Sequence, residues 1–263
     1  RRLRAFAHRF VCDRGVAGRE PLWGRPMSTG GTIVVLNAGS SSLKFAAFAC
    51  EGSGAALERL LHGKIDGVGQ SARLVAWGHD GQALPGDEVP MSADTPQGHE
   101  RGLGLLFQWL ERQLPGWRVL AVGHRVVHGG EHFTQPIRVT PEVLAELDRL
   151  SPLAPLHQPH NLAAIRVIAA LEPALLQVAC FDTAFHASQP WVMQAYALPA
   201  RIRDAGVKRY GFHGLSYEYI ASVLPEHLGA RAQGSFSGPF SIPGVRRHKV
   251  VCARHLLSRS QNL

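Results

Sequence analysis

Long apolar runs are missing from this sequence. Its hydrophobic stretches are short and broken by Gly, Pro or charge, so none spans a bilayer, and no Arg/Lys-then-apolar-then-small segment marks a secretory signal. A soluble, cytoplasmic protein is expected. Cysteine is scarce: the four present (Cys12, Cys50, Cys180, Cys252) show no C-x-x-C spacing and read as reduced thiols. Cys180 lies in an apolar run and reads as a small core residue. Acidic residues are short at both ends. Residues 1–26 carry seven Arg against Asp13 and Glu20, and residues 231–263 carry six Lys/Arg and no acid. The net charge of +8 therefore leaves −3 for residues 27–230. The basic residues of that body are not interleaved with aromatics, which argues against a nucleic-acid platform.

What is present is a globular chain of 263 residues, 45% hydrophobic and 18% charged. The first 26 residues show neither helical nor strand period. Met27 precedes a small-residue stretch and a strong strand, so an upstream-extended reading frame is expected, with an Arg-rich transit peptide as the competing reading. Residues 1–29 are set aside as a leader.

Residues 32–37 and 42–49 read as strands joined by the turn Ala38-Gly39-Ser40-Ser41, a hairpin. Further strands are expected at 60–65 and 73–77, loop over 78–97, and an amphipathic helix over 98–113. Residues 119–127 form an apolar strand. Thr140 caps a helix with Pro141 at its first position. Helices are expected over 161–171 and 216–224, the second ended by Pro225, with a buried strand at 175–182 between them. Strands alternating with helices give α/β, and an opening hairpin points away from a Rossmann unit.

Five segments carry chemistry. In Asn37-Ala38-Gly39-Ser40-Ser41-Ser42-Leu43-Lys44, small residues let backbone N–H groups approach an anion; hydroxyls, Lys44 and the Asn37 amide complete an inventory suited to phosphate with hydrated Mg²⁺. An ordinary Ser-rich turn fits equally. In Gly123-His124-Arg125-Val126-Val127-His128-Gly129-Gly130-Glu131, alternation puts Arg125 and Val127 on one face, a clamp beside an apolar slot; a plain salt bridge is the alternative. His124 and His128 would share a face too and read as structural. In Leu153-Ala154-Pro155-Leu156-His157-Gln158-Pro159-His160-Asn161, Pro159 spoils an H-x-x-H metal pair, and a helix starting at Asn161 suits an anion better. Asp182 leaves a buried strand in Phe181-Asp182-Thr183-Ala184-Phe185-His186, as a catalytic carboxylate or a capping residue. In Tyr210-Gly211-Phe212-His213-Gly214, flanking glycines give His213 an exposed, sharply turned backbone. The 14 histidines show no closed ligand set.

Together and in this order, these segments resemble the acetate kinase family of actin-like phosphotransferases, over roughly residues 32–229. The resemblance implies two actin-like (ribonuclease H-like) α/β domains with a cleft, a homodimer, and transfer of the γ-phosphoryl of Mg·ATP to acetate, giving acetyl phosphate and ADP. Propionate is an alternative acceptor, because one methylene is worth only about 1–3 kcal/mol in a pocket. It also implies roles. Asn37 would hold the metal and phosphates with Ser40, Ser42 and Lys44, and Arg125 would bind the carboxylate or the phosphoryl in flight. Asp182 would be the acid/base or positioning carboxylate, and His213 would stabilise the transition state. Val127, Leu156 and Phe212 would line the methyl pocket, with His157 beside it.

The sequence departs from the family pattern at Gln158 (more often Asn) and at Leu215 and Tyr217 (usually Thr and His). Downstream, the second phosphate loop, a catalytic Arg, the adenosine pocket and a late Glu are not recognisable. The expected organisation is a first domain over 30–184, the start of a second over 185–230, and a divergent tail over 231–263, explained by a frameshift with early termination. Such a chain would be poorly soluble with little or no kinase activity, an inactive remnant that at most binds small carboxylates or phosphate.

Overall fold

A computed structural model describes residues 31–50, 58–68, 71–90 and 98–228. The leader and the divergent tail lie outside the described residues. The chain divides into two units: one holds the residues up to Val126 together with Arg138–Ala179, the other Val127–Ile137 together with the residues from Cys180 onward.

The first unit is built on a sheet. Strands β1 (Gly31–Ala38), β2 (Ser42–Cys50), β3 (Glu58–Asp66), β4 (Ser71–Gly78) and β5 (Ala83–Pro90) pair in sequence as an antiparallel meander. β6 (Arg118–Val126) pairs parallel to β1, and the full order is β5-β4-β3-β2-β1-β6-β8-β7, where β7 is Ile137–Arg138 and β8 is Leu176–Phe181. Side chains alternate across the pleat, so Val34 and Leu36 of β1, Leu43 and Phe45 of β2 and Leu61 and Ile65 of β3 fall on one buried face. Onto that core pack helix α1 (Gly98–Gln113), through Leu103, Leu106 and Trp109, and helix α3 (Gln158–Leu171), through Ala164 and Ile168. Trp109 meets Phe45 edge-to-face at 5.7 Å and donates its indole N–H to the Pro85 carbonyl at 2.7 Å, so its one polar atom is satisfied. Helix α2 (Pro141–Arg149) begins as its sequence dictates: Thr140 Oγ1 accepts from the Val143 N–H at 3.3 Å and Pro141 occupies the first turn.

Four local expectations are corrected. Residues 83–90 form strand β5 instead of loop. Pro85, Gly86 and Pro90 resemble a turn, but an edge strand tolerates prolines, and the register shifts opposite Leu74/Ala76. β6 ends at Val126, so alternation along it does not extend to Val127 or His128. Helix α3 begins at Gln158, three residues early, because a proline in the first turn gives up no helical hydrogen bond. Pro225 does not end the last helix, α6 (Gly214–Leu228), which runs a further turn at the cost of one backbone bond.

The second unit's described residues contain a 3₁₀ turn at Asp182–His186, short helices α4 (Trp191–Gln194) and α5 (Ala200–Arg203), and α6, which packs on that turn. No helix among the described residues is long and apolar enough to cross a membrane.

Candidate functional site

In the first unit the chemistry gathers at the turn between β1 and β2. Asn37 lies opposite Lys44, and Lys44 opposite Lys64 of β3, so the three share the sheet face away from the core. The parallel register that sets Leu36 beside His124 brings Arg125 to Asn37, and the guanidinium donates to Asn37 Oδ1 at 3.1 Å. One row across four strands therefore carries Arg125, Asn37, Lys44 and Lys64, the last paired with Asp66 at 2.6 Å. Ser40, Ser41 and Lys44 are exposed, while Ser42 and Asn37 are half-buried.

The turn's carbonyls are bound from the protein side. Ala38 O accepts from Asn161 Nδ2 at 2.6 Å, Gly39 O is 2.8 Å from His99 Nε2, Ser41 O accepts from the Val68 N–H at 3.0 Å, and Ser42 O accepts from the Gly39 N–H at 2.8 Å. Behind His99 the His160 ring stacks at 5.5 Å. Burial, and then the nearby His99 and His157, lower the His160 pKa. Leu156 is 76% exposed and His157 is exposed, both on the approach to α3.

His124, on the core side of β6, is 3% exposed and its Nε2 bonds to Gln177 Oε1 at 2.8 Å, while Gln177 Nε2 donates to Ile165 O at 3.3 Å. Burial drives its pKa down to about 4 against the opposing hydrogen bond. It is a neutral core group, as its sequence context implied.

In the second unit two segments close on each other. Asp182 and Thr183 are buried, and Thr183 Oγ1 accepts from the Gly129 N–H at 2.9 Å. His128 is 1% exposed, and its Nδ1 accepts from the Gly130 N–H at 2.9 Å. Its ring meets Tyr210 at 4.4 Å and Phe212 at 5.9 Å, both edge-to-face. Burial and then Lys208 lower its pKa. His186 Nε2 donates to the Phe212 carbonyl at 3.0 Å, and the Gln189 amide stands 3.3 Å from Nδ1, which fixes the tautomer. Its pKa is lowered by burial, with Asp182 opposing and His213 adding to the shift. Lys208 pairs with Glu131 at 2.7 Å, tying the two segments again.

The glycine of this loop has a steric reason. A Cβ on Gly214 would overlap the Asp182 carbonyl oxygen, so only glycine lets the loop approach the turn that carries Asp182. His213 is the non-glycine residue with positive φ, at 57°, among the described residues, and it is exposed. Its carbonyl accepts the Tyr217 N–H, which starts α6. The sharply turned, outward backbone read from the flanking glycines is present. Val127 is buried and Phe212 is 38% exposed.

Among the candidate residues, then, the first unit joins Asn37, Lys44 and Arg125 beside the serines of the turn, and the second joins Asp182 to the loop of Phe212 and His213. His99 and His186 carried no assigned role in the sequence reading, and Asn161 was read only as a helix start suited to an anion. Asn161 and His186 stood inside quoted segments, whereas His99 lies 60 residues from its partner and no spacing connects them.

Among the described residues no group of three or more His, Cys, Asp or Glu side chains could hold a metal ion. Asn37 Oδ1 faces a guanidinium, a poor neighbour for a dication. The donors and cations at the turn fit an anion.

Residues 32–235 match the profile of the Acetokinase family. The acetate kinase of Rhodopseudomonas palustris (strain TIE-1) is 46% identical over 197 residues, 75% of this chain and 48% of that protein. The crystal structure of Porphyromonas gingivalis acetate kinase superposes with a TM-score of 0.62 at 33% identity, covering 76% of this chain and 49% of that one. A propionate kinase from Francisella tularensis gives 0.62 at 29% identity, covering 75% and 49%. The chain spans about half the length of the curated relatives it matches. The fold class read from the sequence, actin-like α/β, is the one these structures share with it.

Proposed function

The chain belongs to the acetokinase family, and on that premise we propose that it serves reversible phosphoryl transfer between ATP and a short carboxylate, acetate first and propionate second. The observation that carries the reading is the row of Arg125, Asn37 and Lys44 beside a serine turn whose carbonyls are bound from behind. Such a face presents positive charge and hydroxyls to an incoming anion.

In the forward reaction a carboxylate oxygen forms a bond to the γ-phosphorus. The bond from that phosphorus to the bridging oxygen breaks, and ADP leaves with the electron pair. Acetate is already ionised at neutral pH, so no base is required. The requirement is to neutralise two anions and hold them in line. Arg125 would clamp the carboxylate or the transferring group, and Ser40, Ser42 and Lys44 would hold phosphate oxygens. His213, held outward by its left-handed backbone, would donate to the developing charge. Asp182, buried beneath that loop, would set its position. Val127 and Phe212 would offer apolar surface to the acyl chain, as would Leu156, with His157 beside it. A divalent cation would enter with the nucleotide phosphates and spread their charge. The reading carries with it a homodimer, a cytoplasmic setting where ATP is available, and a second actin-like domain opening over 185–230.

The test is acetyl phosphate formation by the purified chain with ATP, Mg²⁺ and acetate, trapped with hydroxylamine. The expected result is turnover that disappears in His213→Ala and falls by about 100-fold or more in Arg125→Ala, the scale for losing one transition-state donor. Turnover unchanged by both substitutions overturns the reading, and no turnover from soluble, folded chain leaves the inactive remnant in its place.

A further inference from the structure

The carbonyls at the turn have a geometric consequence. A trans peptide is planar, with its C=O and N–H pointing in opposite directions. Fixing Gly39 O therefore fixes the Ser40 N–H on the far side of the same peptide plane. The atom that fixes Gly39 O is His99 Nε2, at 2.8 Å. Gly39 has no Cβ to restrict that plane, and Ser40 beyond it is exposed, so among the described residues the contact with His99 is what orients this carbonyl. On the preceding peptide, Asn161 holds Ala38 O at 2.6 Å from a position 3% exposed. The His99 ring is itself backed by the half-buried His160 ring at 5.5 Å, so the donor has a packed support.

We propose that His99 is a positioning residue for phosphoryl binding: by holding the Gly39 carbonyl toward the protein it turns the Ser40 N–H toward the anion. This rests on the anion-binding reading above and adds a residue that touches neither nucleotide nor carboxylate. The carbonyl acceptor requires the proton on Nε2, whatever the state of Nδ1. Without His99, the Gly39–Ser40 peptide is free to flip and present a carbonyl oxygen, which repels phosphate.

The experiment follows the backbone amides of Gly39 to Ser42 by ¹H–¹⁵N NMR in the full chain during titration with inorganic phosphate. Wild type, His99→Leu and His99→Gln are compared, because the glutamine amide reaches the place of Nε2 and leucine supplies only volume. The expected result is a saturable Ser40 shift in wild type. In His99→Leu the binding weakens about tenfold, the upper scale of one hydrogen bond, and His99→Gln recovers to within about twofold of wild type. A folded His99→Leu that binds like wild type overturns the proposal, as does a His99→Gln as weak as the leucine variant. Wild type that shows no phosphate shift at Ser40 fails the anion reading itself, and the proposal with it. If the leucine variant does not fold, the long-range ¹⁵N spectrum of wild type decides. A protonated Nε2 maintained through the titration supports the proposal, and an Nδ1–H tautomer overturns it.

Discussion

Trp109, Leu103, Leu106 and Ile165, in the unit built on the sheet, are exposed by 1% or less, while Trp191, Val192 and Tyr219, in the other unit, stand 66%, 65% and 67% exposed. The main core cluster lies wholly within the first unit, whereas the buried apolar residues described in the second are Val127, Phe181 and Ala221. The two are ordered by different means. The first buries alternating side chains of a sheet under two helices, a large, non-directional term. The second is held by polar and aromatic contacts of fixed geometry around His128 and His186, and by close approach of the loop backbone at Gly214. One unit should resist deletion of polar groups and yield to cavities; the other should show the reverse.

The largest expected effect is a cavity in the first unit. Trp109→Ala removes a side chain 1% exposed together with its bond to Pro85 O. A loss of about 3–5 kcal/mol is expected, read as a lower urea midpoint at unchanged slope. A loss below about 1 kcal/mol, the range of surface changes, would break the comparison.

The same contrast explains what was legible in the sequence. Runs of β-branched and apolar residues placed β1, β2, β3, β4 and β6 to within two residues, because each has one face in the core. β5 was hidden because an edge strand buries too little to impose the pattern, and Pro85 and Gly86 gave turn signals. The site was legible where backbone chemistry dictates residue type, as at the glycines around His213. The His99 bond to Gly39 was not, since it joins elements 60 residues apart and any donor of suitable reach would serve.

Acid comes next and divides the units less. His124 is held neutral by burial, with its pKa lowered to about 4 from the ordinary 6.5. The unfolded chain takes up this proton below pH 6.5 and the folded chain only near 4. Stability is therefore complete above pH 6.5 and declines as pH falls from there to about 4, by about 3 kcal/mol in total. His128 and His186 are lowered in the same direction and add to the slope from the second unit. Melts at pH 7 and pH 4.5 should differ less in His124→Gln than in wild type. An unchanged difference would remove His124 as the source.

Glycine substitution sharpens the comparison at about 1–3 kcal/mol. Gly214→Ala places a Cβ on the Asp182 carbonyl oxygen, and backbone must shift. Destabilisation of that size is expected, read as a lower urea midpoint. Gly102→Ala, inside α1, meets only Val68 Cγ2 at 3.7 Å and should instead stabilise by about 0.5–1 kcal/mol. Two substitutions of equal size thus carry opposite signs in the two units, and equal signs would contradict the account given for either.

The smallest effect bears on the exposed apolar side chains themselves. Val192→Ser and Tyr219→Ser replace groups 65% and 67% exposed, so little area changes between folded and unfolded chain. A change within about 0.5 kcal/mol is expected for each, the range of surface substitutions. The sign of any residue is informative. Truncating Leu106 in the first unit must destabilise, since it is fully buried. Polar substitution at Val192 should leave the urea midpoint alone while raising solubility, because a side chain that is wet in the folded state contributes to association and not to folding. If Tyr219→Ser instead lowers stability by more than 1 kcal/mol, its ring is buried in solution. The second unit would then own an apolar interior after all, and the contrast with the sheet would be one of degree.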